Sequence, residues 1–185
     1  ADTRMVANLW LRPGNSHTAN NSIAFLQASL NRLGGKRVEL LRADSGFSDD
    51  GFLRYLERIG LHYIISARLQ QPLQRALAAQ KGWWTLDDGI ELVSFDYQSP
   101  GWDQPRRVVG IRQHVAKRAQ AKGKTLSLFA DDPVHGAYRY GALITNIALP
   151  SQQVWRTYRG RSDCENRIKE LKYDFAADSF CLNDF

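Results

Sequence analysis

Tyr158, Arg161, Glu165 and Lys172 stand in the segment YRGRSDCENRIKELK at successive gaps of three, four and seven residues. Wound as a helix at about 100° per residue, these side chains fall within roughly 60° of one another, so a carboxylate, two cations and a phenol share one face. That combination suits phosphate chemistry, in which a carboxylate holds a divalent metal while neighbouring cations and a hydroxyl grip the charged backbone. Cys164, Ile168 and Leu171 form an adjacent apolar arc that would seat the helix on a core. A solvated helix with an incidental Glu165–Lys169 pair at i,i+4 would show the same face, and the segment alone does not separate the two readings.

A second acid stands where an α/β fold would use one. The pattern predicts a strand over Arg4–Leu11, then a helix capped by Asn20 or Asn21 with Ile23, Phe25, Leu26, Leu30 and Leu33 inward, ended by Gly34-Gly35. A second strand over Arg37–Leu41 leads to Arg42-Ala43-Asp44-Ser45-Gly46-Phe47, and a helix begins near Asp49 or Asp50 with Leu53, Leu56 and Ile59 on its inner side. Gly60 closes it, and His62–Ala67 has the β-branched content of a buried strand. Strand and helix alternating in this way argue an α/β sheet with helical crossovers, whose functional groups gather at the carboxyl ends of strands. Asp44 lies at such an end, and a sheet with a flanking helix could bring it to the same metal site as Glu165. Two-metal phosphoryl transfer normally needs a third acid as well.

From about Gly82 the texture changes to WWTL, IELVSFDY, RRVVGIRQ and YRYGALITNI, separated by Asp87-Asp88-Gly89 and Ser99-Pro100-Gly101. These read as antiparallel strands of a β-rich insertion. The expected organisation is a core over residues 1–75, the insertion over 76–147, and a return to the core over 148–185 with the helix carrying Glu165. Trp83, Trp84 and Trp102 near Arg106, Arg107 and Arg112 suit stacking on a base beside phosphate contacts, or the filling of a small β core. Lys117, Arg118, Lys122 and Lys124 read as a DNA-facing patch or a solvated loop. Asp131-Asp132 before Pro133 fits turn chemistry better than a metal site.

Composition agrees with a polyanionic partner. Lys and Arg number 25 against 19 Asp and Glu, a formal charge of +6, and 43% hydrophobic content supports an ordinary core. No apolar run approaches the roughly 20 residues that span a bilayer, and the start lacks the pattern of a signal peptide, which reads as a soluble intracellular protein. Cys164 and Cys181 form no CxxC and join no histidine cluster, so they read as idle or buried thiols.

With these residues in view, the chain resembles the DDE transposases of bacterial insertion sequences, in the group marked by a tyrosine–arginine–glutamate–lysine signature. Tyr158, Arg161, Glu165 and Lys172 match that signature at every spacing, RADSGF around Asp44 looks like the second-aspartate motif, and a β-rich insertion between the two is also a feature of the group. The resemblance implies a ribonuclease-H-like core, here partial, with Asp44 and Glu165 as catalytic ligands of Mg²⁺ or Mn²⁺. It implies that Tyr158, Arg161 and Lys172 contact DNA phosphate, and that an aromatic of the insertion stacks on a base. The implied activity is cleavage of DNA at terminal inverted repeats and joining of the 3′ hydroxyl to a target duplex, with self-association in a synaptic complex. The implied setting is the bacterial cytoplasm, on the nucleoid when bound to DNA.

One departure concerns the first catalytic aspartate, which the group carries on the opening strand of its core. Asp2 is the only aspartate that precedes Asp44, with too few elements between, so Asp2 is not expected to be that ligand. The sequence therefore reads as a fragment, opening at Ala1 inside a strand and ending at Phe185, and inactive by itself. A ribonuclease-H-like nuclease without strand transfer, or a non-catalytic DNA-binding remnant, are the alternative readings.

Overall fold

A computed structural model of the chain describes residues 6–10, 21–87, 89–114 and 137–161. Its centre is a six-stranded sheet in the order β1-β2-β6-β5-β4-β3. The strands are β1 (Leu40–Ala43), β2 (His62–Ser66), β3 (Trp84–Asp87), β4 (Ile90–Tyr97), β5 (Arg106–His114) and β6 (Tyr138–Thr145). The helices are α1 (Ser22–Arg32), α2 (Asp50–Arg58), α3 (Gln71–Ala78) and α4 (Ser151–Arg159).

β1 and β2 run parallel, with α2 as the crossover between them. Asp49 starts α2 by accepting the Phe52 N–H on its side chain at 3.2 Å, which satisfies one of the helix's unpaired donors. Phe52, Leu53, Tyr55 and Leu56 then bury one face, while Ile59, expected inside, lies past the last turn and is 41% exposed. Residues 76–147, read as an inserted β-rich subdomain, contribute four strands that share this same sheet. β3 to β6 run antiparallel, and β6 pairs antiparallel with β2. The join is reinforced by side chains that prolong the ladder. Thr145 donates its hydroxyl to the Tyr63 carbonyl at 2.6 Å, and the Asn146 amide accepts from the Tyr63 N–H at 2.9 Å and donates to the Leu61 carbonyl at 3.1 Å.

Because strand side chains alternate, each central strand supplies two cores. Tyr63, Ile65, Val108, Ala142 and Ile144 meet Leu26, Leu53, Leu56, Leu73 and Leu77 from the first three helices. Ile64, Val109 and Leu143 face the other way and receive Val154, with Tyr158 packed alongside. The sheet is thus covered on both faces, with α4 alone of the described helices packed into the second core. Gly110 permits the close approach of α3 and β4: a Cβ there would lie 2.7 Å from Leu77 Cδ2 and 2.8 Å from Val93 Cγ1.

Two expectations are corrected. Residues 6–10 are not in a strand. With no neighbouring ladder, this stretch leans on α1 instead, where Asn8 donates to Ser29 at 3.1 Å and the Trp10 ring meets Phe25 edge-on at 5.2 Å. α3 was not expected at all, although Pro72 in its first turn and Leu73/Leu77 at i,i+4 are the marks of a short amphipathic helix.

Candidate functional site

Asp44 follows β1 directly and has extended backbone geometry. Its Oδ1 accepts the Gly46 N–H at 2.9 Å, which caps the short 3₁₀ turn Ser45–Phe47 and fixes the carboxylate's orientation. Arg68, from the loop after β2, braces the same turn by donating to the Ser45 carbonyl at 3.0 Å. Alternation along β1 decides which way the acid faces. Leu40 packs into the core beneath α4, Leu41 and Ala43 pack into the opposite core, and Arg42 and Asp44 continue on the α4 side.

α4 begins after Pro150 and carries Tyr158 in its last turn. The helix ends at Arg159. The Arg161 N–H turns to the Tyr158 carbonyl at 2.9 Å, a tightened final turn that leaves the Thr157 carbonyl without its usual i+4 donor. Arg42 fills that vacancy, its Nη1 donating to the Thr157 carbonyl at 2.6 Å across 115 positions of sequence. The cation also sits favourably at the negative end of the helix dipole. Tyr158 is half-buried against the second core rather than wholly turned to solvent.

Arg161 reaches back to the acid. Its Nη2 lies 3.5 Å from Asp44 Oδ2, so the two motifs singled out in the sequence meet at the edge of the sheet although 117 positions separate them. The Asp44 side chain is 50% exposed there and that of Arg161 23%. Glu165 and Lys172 lie outside the described residues, and the expected sharing of one helix face is not seen for the other two: Tyr158 is in the last turn of α4, whereas Arg161 lies in the turn after the helix ends at Arg159.

A divalent ion of the Mg²⁺ or Mn²⁺ type takes carboxylate oxygens. Asp44 fits such a ligand, since Oδ1 caps the 3₁₀ turn while Oδ2, 3.5 Å from Arg161 Nη2, belongs to a half-exposed side chain. Among the described residues no three acids, histidines or cysteines converge. Asp44 alone is not a complete site.

The expected DNA-binding residues of the β-rich region divide. Trp83 donates its indole N–H to the Gln80 carbonyl at 2.9 Å, meets Tyr140 edge-on at 6.0 Å, and has the Arg112 guanidinium 4.6 Å from its ring centroid. Trp102 packs on Tyr97 at 5.9 Å beneath Arg106. Both are part of the packing, whereas Trp84 is 41% exposed. Arg106 is the most deeply committed: its side chain is 3% exposed, with Nε 2.7 Å from Glu57 Oε1 and Nη1 2.7 Å from Asp50 Oδ1. Burial by itself would raise the Glu57 carboxyl, but hydrogen bonds from Arg106, Tyr63 and Gln104 hold it below its ordinary value. Burial and the Glu57 charge together push the Tyr63 phenol far up.

Arg107 grips the loop that leads into α4. Its guanidinium donates to the Ile147 and Leu149 carbonyls at 2.8 and 2.7 Å and to the Ser151 hydroxyl at 3.2 Å. The sequence assigns no role to Arg42, which stands in the RADSGF run, or to Arg68. The available signal was their position, Arg42 two residues before Asp44 on the same side of a strand and Arg68 just beyond the neighbouring strand end.

No described helix is long and apolar enough to cross a membrane. No curated protein matches the chain. A family model described as the transposase DDE domain, group 1, matches residues 1–185.

Proposed function

As the chain belongs to the transposase DDE domain family, we propose that Asp44 and Glu165 are its metal-binding acids, used to cut DNA at the terminal inverted repeats of a bacterial insertion sequence and to join the freed end to a target duplex. The observation that carries this reading is the approach of Arg161 to Asp44 at 3.5 Å, which brings the signature segment to the end of the strand that bears the acid. Membership of the tyrosine–arginine–glutamate–lysine group rests on the spacing of Tyr158, Arg161, Glu165 and Lys172. In this reading the parallel β1–β2 pair and α2 belong to a ribonuclease-H-like core, into which residues 76–147 are inserted.

Asp44 would hold one ion through Oδ2 while the Gly46 N–H keeps the carboxylate from rotating. Divalent ions bound by Asp44 and Glu165 would supply the positive charge that activates the attacking oxygen and stabilises the leaving one. Arg161, Tyr158 and Lys172 would hold the phosphates that flank the cut, and the exposed Trp84 is the tryptophan best placed to meet a base. Arg161 beside the acid also offsets the repulsion between a carboxylate and a phosphodiester. Water attacks in the cutting step and the DNA 3′ hydroxyl in the joining step, so no covalent protein intermediate is needed. Two or more protomers would pair the element's ends.

The test is strand cleavage of an inverted-repeat duplex by the intact transposase. Asp44→Ala and Glu165→Ala should each abolish cleavage, whereas Lys172→Ala should chiefly weaken binding to the end. Full cleavage by either acid variant contradicts the assignment. Cleavage without transfer of the 3′ end to a target duplex would instead mark a nuclease.

A further inference from the structure

The geometry points to Arg42 as a positioning residue that locks the strand bearing Asp44 to the end of the signature helix. This rests on the catalytic reading of Asp44 and Glu165 and adds to it a residue outside the four-residue signature. Three observations converge. Arg42 stands two residues before Asp44 and on the same side of the chain, so the placement of its guanidinium and that of the carboxylate are set by one short stretch of backbone. Its bond to the Thr157 carbonyl, at 2.6 Å, satisfies an acceptor left open because the Arg161 N–H bonds Tyr158 instead. Finally, a Cβ on Gly160 would lie 2.9 Å from Arg42 Nη1, so a larger residue there would displace the guanidinium from its place.

Gly160 has an ordinary helical φ of −60°, so backbone freedom is not what the position requires. Space is. Arg42 and the Arg161–Asp44 contact then form two adjacent ties between the same strand end and the same helix end, one through a carbonyl and one through a carboxylate. Arg107 fixes the entrance of α4 at Ile147, Leu149 and Ser151. With the entrance held from β5 and the exit held from β1, the end of α4 is held in a set position relative to Asp44. A shift of about 1 Å between catalytic groups can cost on the order of 100-fold in rate.

The experiment measures the single-turnover rate of strand cleavage and, separately, the affinity for an inverted-repeat duplex in the intact transposase, with Asp44→Ala and Glu165→Ala as references. Arg42→Gln should slow cleavage by about 10- to 100-fold with affinity within about threefold of wild type. Arg42→Lys, which can still donate to the Thr157 carbonyl, should recover part of the rate. Gly160→Ala should slow cleavage in the same way, and combining it with Arg42→Gln should add little, because both break one contact. This non-additivity remains readable if Arg42→Gln also lowers the melting temperature. Wild-type cleavage by Arg42→Gln, fully multiplicative losses in the double variant, or a loss confined to DNA affinity each overturn the positioning role. If Asp44→Ala and Glu165→Ala cleave normally, the catalytic reading itself falls. Inactive acid variants beside a fully active Arg42→Gln reject only the role of Arg42.

Discussion

Replacing Arg106 with methionine separates a structural arginine from a DNA-binding one. Methionine keeps much of the buried stem and removes the charge, leaving Glu57 and Asp50 without the guanidinium now 2.7 Å from each. Breaking a buried ion pair from one side costs about 3–5 kcal/mol, because the abandoned charge stays poorly solvated. Both carboxylates are 21% exposed and can regain some water, which puts the loss near the lower end, about 3 kcal/mol. At roughly 2–4 °C per kcal/mol for a domain of this size, the melting temperature should fall by about 6–12 °C. Thermal and urea unfolding measure that loss, and titration of duplex affinity against salt tests the other role. A phosphate contact would reduce the salt slope by about one unit, whereas a structural arginine leaves it unchanged in the folded variant. Unaltered melting together with a reduced salt slope would refute the structural reasoning.

The same network has a pH signature. Glu57 is held below its ordinary value, so its contribution is present above the unfolded value of about 4.3 and is lost as pH falls through the lower folded value; melting curves should show that acid loss in the wild type and a weaker one in Arg106→Met. Gly110→Ala should destabilise by about 1–3 kcal/mol in urea unfolding, since the new methyl meets Leu77 and Val93 below contact distance. Thr145→Val removes the hydroxyl that bonds the Tyr63 carbonyl and accepts the Ile147 N–H, and should cost about 1–3 kcal/mol by the same measurement.

Local signals recovered most of the elements. Alternation and tryptophan-rich runs located β3 to β6, and the Asp49 cap with Leu53 and Leu56 located α2. How those strands combine was not legible, because pairing β6 with β2 depends on side chains such as Thr145 and Asn146 that meet positions more than 80 residues away. Charge near aromatics was read as a nucleic-acid surface or as part of a small β core, and Arg106 is paired with acids on α2 and Arg107 with backbone carbonyls at the start of α4. Composition cannot distinguish a guanidinium that meets phosphate from one that meets a carboxylate, since both need the same donor fork. For the candidate site, the signature spacing singled out Arg161 and the position at a strand end singled out Asp44, and the structure brings the two together. Arg42 stands in the RADSGF run beside Asp44, but its role was not legible, because its partner is a main-chain carbonyl that no residue type announces.

The most direct measurement of the central claim is a metal-specificity switch at Asp44. Thiolate ligands favour softer ions than carboxylates do. If Asp44 is a ligand of the ion used in cleavage, intact transposase carrying Asp44→Cys should fail to cut an inverted-repeat duplex in Mg²⁺ and regain cutting in Mn²⁺. Equal activity of Asp44→Cys and wild type in Mg²⁺ would contradict the claim that this acid holds the metal.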